Sequence, residues 1–442
     1  MIFHRVTLST CYPFLIVWVL LLGFAAACQQ QPAPSVTSYP LPPTLFSETP
    51  TATFAAAYPE QSTPSAYPYP AVSPTPRPNE SATSSPIAAA TLSPEQYLPF
   101  IAGGDLPTAT STSPPTNTPL PTPTPTIDFA AVRQQLQAQG QDLGLAKLGF
   151  HTGAGGNMNG IGVWMQRLDE AGVPFFLKSA DNAGPLLEAQ NLMRASGVPH
   201  TLVFRRSGNA YDTPDYALSP QVAAAQHWAL HKAAWPPELD PSLVWIETIN
   251  EVDKTRSVWL AQFAQATAEL ALADGYKWAA FGWSSGEPEL TDWQSPAMLG
   301  FLRFAAAHPD RIAIALHEYS YITSDIGHEY PYKVGRFQFL FQVCDQNSIP
   351  RPTVLITEWG WEYENVPGVD EALTDIAWAA RMYAAYPQIK GAAIWYLGGN
   401  FNNIHDQTQQ LIGPVTEYSL GNYFAIPLPP AAASLDPAQF QP

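Results

Sequence analysis

The sequence predicts an α/β protein: a single (β/α)8 TIM barrel preceded by a disordered linker. Three observations predict it. From residue 145 onward, eight short β-rich apolar runs alternate with longer amphipathic stretches, the pattern of βαβ units on a parallel sheet. Nearly every run ends in polar or aromatic residues, as barrel strands do when their C-terminal ends carry chemistry. Finally, 23 of the 46 prolines lie within residues 29–126, a segment that therefore cannot build a packed core.

In chain order, His4 and Arg5 precede an apolar run, Cys11 to Cys28, that ends Ala25-Ala26-Ala27-Cys28 and turns polar at once. A short basic start, an apolar middle and small residues at the end read as a secretory signal over 1–28. The ending resembles a bacterial lipobox, which implies lipidation at Cys28. The other reading is an uncleaved anchor, since about 18 apolar residues can just span a bilayer. Both place the rest outside the cytoplasm, as a membrane-anchored lipoprotein or a secreted protein. Residues 29–126, with recurring Thr-Pro and Ser-Pro pairs, read as an extended spacer.

The barrel is expected over 127–426, with a Pro/Ala-rich tail over 427–442. Its eight strands are read as Leu145–His151, Pro174–Ala180, His200–Arg206, Leu243–Asn250, Lys277–Ser284, Ile312–Tyr319, Thr353–Gly360 and Gly391–Gly398. Helices are expected over Gln221–Trp235, Trp259–Gly275, Pro296–His308 and Asp370–Tyr386. Gly172, Gly197 and Gly275 stand where helices stop before the next strand. Residues 402–420, polar and irregular, make the eighth helix the weakest unit. An open dinucleotide-binding sheet is the alternative, but Gly153-Ala-Gly-Gly156 lacks the spacing of that fingerprint.

Composition narrows the function. Against 37 acidic residues stand 20 Lys and Arg, a formal net charge of −17, which argues against nucleic acid and anionic lipid as partners. Of three cysteines, Cys11 and Cys28 belong to the signal, so Cys344 is alone and no intradomain disulfide is possible; for a single-domain barrel a monomer is the default. In its apolar stretch Cys344 reads as a buried small residue rather than a nucleophile.

The strand ends supply the candidates: His151, Arg205-Arg206, Asn250-Glu251, Trp283-Ser284, His317-Glu318-Tyr319, Glu358-Trp359 and Trp395-Tyr396. Glu251 and Glu358 each close an otherwise apolar run, on strands four and seven, which face each other across a barrel mouth. Glycoside hydrolysis needs two carboxyls so placed, one to protonate the leaving oxygen and one to attack the sugar carbon.

With Asn250-Glu251 on strand four, Thr357-Glu358-Trp359-Gly360 on strand seven, His317-x-Tyr319 on strand six and Trp395 on strand eight, the chain over about residues 145–400 resembles clan A of the glycoside hydrolases. These are (β/α)8 retaining enzymes that include families 5 and 39. The resemblance implies that Glu251 is the acid and then the base, Glu358 the nucleophile, and Asn250 the contact to the sugar 2-hydroxyl. It also implies that Tyr319 donates to Glu358, that His317 lies close by and that Trp395 is a platform for the sugar. No metal or organic cofactor is implied. Many members end strand two with an Arg that pairs with the nucleophile; here Lys178 or Arg205 would have to serve.

Several residues carry two readings. Glu247, deeper on strand four, is either a rival carboxylate or a buried partner to a basic group. His151 fits the sugar site better than a metal site, because the His-x-His of metal-dependent barrel hydrolases is missing. Trp283, Trp359, Trp361 and Trp395 are either sugar platforms or core. The aromatic loop Ser320–Lys333 points to a glycan cleft. The function expected is therefore an extracytoplasmic retaining β-glycosidase with a glycan substrate. The alternatives are a carbohydrate-binding protein without turnover and a transglycosylase.

Overall fold

Each expected apolar run becomes a strand, and the eight strands close on themselves in the computed structural model, which describes residues 127–428. The expected signal with Cys28, the spacer 29–126 and residues 429–442 lie outside the described residues. The strands are β1 (Leu148–Gly153), β2 (Phe176–Ala180), β3 (Thr201–Arg205), β4 (Val244–Glu247), β5 (Lys277–Trp283), β6 (Ile312–Tyr321), β7 (Thr353–Glu362) and β8 (Ile389–Ile394). Every strand is parallel to the next, and β8 returns to β1 through Ala392 opposite Leu148, so the sheet is a closed barrel.

The helices form where expected, within two residues: Pro220–Ala233, Ser257–Ala273, Pro296–Ala307 and Val369–Ala384. Local chemistry sets their ends. Ser295 caps the third of these by accepting from the Met298 N–H, and Gly197 ends helix Gly184–Ser196 in the left-handed region that only glycine enters freely. The weak eighth unit is two short helices, Ile404–Gln409 and Ile412–Gly421. Three elements outside the barrel were not anticipated. A helix over Phe129–Ala138 precedes the barrel, and strand Gln141–Gly144 pairs antiparallel with Phe424–Pro427. No helix among the described residues is long and apolar enough to cross a membrane.

The core has two compartments. Between strands and helices lies one large apolar cluster, which includes Cys344; burial pushes that thiol up to about 12 and leaves it unreactive. Inside the barrel a smaller layer is built from Phe176, Val203, Trp245, Ala279, Ala313, Ala315, Leu355 and Ala393. Two large rings among small side chains fill the tapered interior. Gly149 makes room for this layer, since a Cβ there would lie 1.8 Å from the Phe176 carbonyl oxygen.

Glu318 fixes the long connection after β6. Fully buried, it accepts from the N–H groups of Gly335 (2.8 Å) and Phe337 (2.9 Å) and from the Tyr383 hydroxyl (2.8 Å). It thereby holds the first turn of helix Phe337–Gln346 against the barrel. The connection is tied a second time by Lys333, which donates to the Ser320 carbonyl (3.0 Å) and pairs with Glu329 (3.1 Å). Burial raises the Glu318 carboxyl to about 7 against the pull of these donors. The folded state therefore keeps a proton that the unfolded chain releases above about 4.5. Stability contributed by Glu318 falls as pH rises from there to about 7. Glu318→Ala, which strands three buried donors, is expected to lower the unfolding free energy by about 3 kcal/mol or more. In urea titrations the gap between variant and wild type should narrow as pH rises through that window.

Candidate active site

Side chains on a strand repeat with period two, so the residues two positions beyond the interior layer point into the barrel one step nearer its mouth. Beyond Phe176, Val203, Trp245, Ala315, Leu355 and Ala393 these are Lys178, Arg205, Glu247, His317, Thr357 and Trp395. An apolar layer is thus roofed by a polar one. In β7 the alternation is broken by a bulge: Ile356 pairs with Leu316, but Glu358 pairs with the next residue, His317. The extra residue lets Thr357 and Glu358 both face inward, where strict alternation would send one outward.

Lys178 organises the charges. Its ammonium lies 2.7 Å from Glu247 Oε2 and 3.2 Å from Glu358 Oε1, and the Lys178 and Glu247 side chains are both 0% exposed. Thr357 donates to the other Glu247 oxygen at 2.7 Å. Burial opposes ionisation of Glu247, but Lys178, followed by Arg205 and His317, outweighs it and holds the carboxyl below its ordinary value. Glu247 is therefore a buried partner of a basic group. Arg205 stands 4.0 Å from Glu358 Oε1 and 3.4 Å from Asp212. Lys178 and Arg205 together occupy the position expected for a strand-two arginine. His151 Nδ1 is 3.9 Å from Glu358 Oε1; burial first, then Lys178, Arg205 and His317, hold this imidazole well below its usual pKa and keep it neutral.

Glu251 reaches the site from a loop, because β4 ends at Glu247 rather than at Asn250. Its backbone is left-handed (φ +45°), and its N–H donates to the Gly282 carbonyl at 2.8 Å. That contact needs a glycine, since Gly282 has φ +54° and a Cβ there would come 3.0 Å from the Ile249 carbonyl oxygen. A left-handed non-glycine residue held by its neighbours is a mark of functional sites.

The structure corrects the expected partner of Tyr319. Its hydroxyl donates to Glu251 Oε1 at 2.5 Å, not to Glu358. The reason is which neighbouring strand holds it. The Tyr319 N–H donates to Ser285 Oγ (2.7 Å) and its hydroxyl lies 3.4 Å from Ser284 Oγ, which draws the ring toward β5 and β4 and away from β7. His317 Nδ1 lies between the two carboxylates, 3.3 Å from Glu251 and 3.6 Å from Glu358. Burial opposes ionisation of Glu251, but the bond and charge of His317, with Tyr319 and Arg205, hold its carboxyl down at about 2. The Tyr319 phenol is pushed well above its ordinary value, by burial first and then by Glu251 and Glu358, so it remains a donor.

The tryptophans divide. Trp283, Trp359 and Trp361 are buried and are core, not sugar platforms. For Trp283 the cause is a bulge at Phe281 (φ +79°) and Gly282, which turns its ring onto Phe281 (centroids 4.9 Å apart) and Trp293. Ser284, not Trp283, meets the site. Trp395 stays partly exposed, its ring stacked with Tyr396 at 5.3 Å. Asn250 is fixed by its N–H to the Asp212 carbonyl (3.0 Å). Among the described residues, Asn250 Oδ1, both nitrogens of His151, Arg205 Nε and His317 Nε2 have no hydrogen-bond partner in the protein. Such a set of unused polar atoms around two carboxylates suits a polyhydroxylated ligand.

The supporting roles of Asp212, Ser285 and Thr357 are not legible in the sequence. Arg205 and Glu247 pointed inward to them, but a loop serine and a bulged threonine carry no periodic signal. Among the described residues, the one group with metal-type ligand atoms close together is Glu251, His317 and Glu358, within 4.8 Å of one another. Lys178 and Arg205 already set positive charge against Glu358, which makes this a poor surrounding for a further cation.

No protein-family model matches the chain, and no curated protein sequence matches it. Solved structures similar to it include a Bacteroides ovatus GH5 xyloglucanase in complex with a XXXG heptasaccharide. That structure is 12% identical, covers 62% of this chain and 75% of its own, and has a TM-score of 0.34. A tri-modular GH5 (subfamily 4) endo-beta-1,4-glucanase from Bacillus licheniformis is 11% identical, with 62% and 60% covered and a TM-score of 0.36. A chain from Coccidioides immitis proposed to be a fructose-1,6-biphosphate aldolase is 12% identical, with 66% and 94% covered and a TM-score of 0.29. At these identities and scores the likeness carries no argument about the reaction; the barrel itself stands on the strand pairing above.

The buried charges make a test of the site's frame. Lys178→Met leaves Glu247 ionised without its partner and is expected to cost about 3–5 kcal/mol in chemical denaturation. Adding Glu247→Gln, which removes the stranded charge but keeps an acceptor for Thr357, should recover more than half of the loss.

Proposed function

We propose that this protein is an extracytoplasmic retaining β-glycosidase that cleaves poly- or oligosaccharides by double displacement. One observation carries the reading: two carboxyls from opposite sides of the barrel mouth, Glu251 and Glu358, have oxygens within 4.8 Å of each other. Retaining glycosidases hold their carboxyls about 5–5.5 Å apart, whereas inverting ones need about 6.5–9.5 Å to admit a water. The unlike surroundings of the two support unlike roles. Glu358 faces two cations, as a carboxylate nucleophile should, while Glu251 faces a tyrosine and a histidine that can manage a proton.

In the first step Glu358 forms a bond to the anomeric carbon as the bond to the leaving oxygen breaks, and Glu251 gives that oxygen its proton. In the second step Glu251 takes a proton from water, the resulting hydroxide oxygen bonds to the anomeric carbon, and Glu358 departs as carboxylate. Asn250, His151 and Arg205 offer the unused polar atoms for the sugar hydroxyls, and Trp395 offers the apolar face. Neither step requires a metal or an organic cofactor.

A second reading, a carbohydrate-binding protein without turnover, is favoured by one observation. The free site holds Glu251 ionised, at about 2, and so without the proton the first step needs. Under the glycosidase reading, a sugar that excludes water and turns Tyr319 or His317 away from Glu251 restores that proton.

Three variants separate the readings. Glu358→Gln should abolish reducing-sugar release from β-glucan, xylan, mannan and galactan panels, by at least about 1,000-fold, while glycan binding persists. Glu251→Gln should lose activity on polymers yet keep the first step on aryl glycosides, whose leaving group needs no proton, seen as a burst of released phenol before slow turnover. Binding by a wild type that releases no sugar from any panel member favours the second reading. In Tyr319→Phe the loss of a donor lets the Glu251 carboxyl rise, so the alkaline limb of the kcat/KM profile should move to higher pH.

A further inference from the structure

A strip of aromatic rings leaves the carboxylates and runs outward over the rim between β6 and the turn after β8. It begins with Tyr319, which touches Glu251, and steps to Tyr321 (centroids 5.9 Å, planes 33° apart) and then Tyr363 (5.4 Å, 32°). From there it passes to Trp395 (6.3 Å, 23°), with Phe401 in a T-shaped contact at 4.8 Å. Tyr321 is 47% exposed, Tyr363 46% and Phe401 38%. Large aromatic rings in a contiguous exposed patch mark a binding surface.

The backbone holds the strip open at a conformational cost. Tyr321 has φ +75°, and the Tyr363 N–H donates to its carbonyl at 3.0 Å, which fastens the end of β6 to the turn after β7. Four successive non-glycine residues, Asn400 to Asn403, have positive φ, of 73°, 53°, 48° and 61°. Asparagine tolerates that region; phenylalanine does not favour it. Phe401 is nevertheless kept there, with Asn402 donating to Glu364 on the Tyr363 turn. Strain maintained at an exposed ring is a sign of selection for binding rather than for stability.

We infer that Tyr321 and Tyr363, continuous with Trp395, form a second sugar-binding platform that takes the units of a linear glycan next to the one held at the carboxylates. The chemistry fits this occupant. The C–H faces of pyranose rings are apolar and flat, and neighbouring planes among the four rings from Tyr319 to Trp395 differ by only 23–33°, so consecutive units can lie along it. Carboxylate and amide groups of Glu362, Glu364, Asn365 and Asn402 border the rings, linked as Asn365 to Glu362 (3.3 Å) and Asn402 to Glu364, and offer partners to hydroxyls at the edges. The occupant is thus a chain of several sugars rather than a single unit. This inference rests on the glycan-binding part of the proposed function.

The test uses the full chain carrying Glu358→Gln, so that ligands survive, titrated calorimetrically with β-linked gluco-, xylo- and manno-oligosaccharides of two to six units. Affinity in one series should rise at least tenfold between two and six units. Tyr321→Ala with Tyr363→Ala should erase that rise, weakening the six-unit ligand at least tenfold more than the disaccharide, and Tyr321→Phe with Tyr363→Phe, which keeps both ring faces, should restore it. A length dependence that survives the alanine pair, or affinity independent of length, overturns the platform even where hydrolysis is observed. Length-dependent binding by a protein that never hydrolyses sugar leaves the platform standing and removes only the enzymatic reading; binding of no saccharide removes both. A dimer seen by sedimentation and lost in the alanine pair would instead assign the strip to self-association and overturn the inference.

Discussion

A single buried ammonium, that of Lys178, is the interaction on which the site depends. It is shared by Glu247 from β4 and Glu358 from β7, strands that are neighbours neither of β2 nor of each other in the barrel order. An open sheet would keep these three side chains apart, whereas closure brings them to one axis. In isolation each buried charge would cost several kcal/mol. Together with Thr357 and Arg205 they satisfy one another, and in doing so they fix where Glu358 points. The apolar layer beneath excludes water from the pair, and the open mouth above leaves Glu358 reachable.

Regularity and irregularity are divided along the barrel axis. Below, strands pair in simple register over Phe176 and Trp245, with one shift between β7 and β8 beside Leu355. Toward the mouth come the bulges of β5 and β7, the left-handed Glu251, and the left-handed turn at Phe401. Each departure re-aims a specific side chain: Thr357 and Glu358 inward together, Trp283 into the core, Glu251 over the gap, and Phe401 onto Trp395. The stability of the lower barrel is what allows the upper part to be irregular.

The same division explains what the sequence disclosed. Strand identities, most helices and the two glutamates are legible because they follow period-two and helical spacing, and the polar layer is simply two residues beyond the apolar one. The bulges were not legible: one extra residue in a strand changes every facing after it, yet leaves composition and hydropathy untouched. That is why Trp283, at a strand end, was open to a surface reading that the structure denies it. The partner of Tyr319 was hidden for a related reason, since it is decided by Ser285 on the neighbouring strand rather than by anything local to His317-x-Tyr319. Gln141–Gly144 escaped notice because its four residues lack apolar alternation and become a strand only by meeting Phe424–Pro427.

That last pairing has a topological consequence. It joins the start and the end of the described chain at the foot of the barrel, with the Leu428 N–H donating to the Gly140 carbonyl at 3.2 Å. The backbone is thereby nearly a ring wound around a ring, in which the order of the eight βα units is cyclic and the first has no privileged status. If the two ends were linked and the chain reopened at an exposed turn, every barrel pairing would be preserved. The polar layer would then assemble from the same residues in a different order of synthesis.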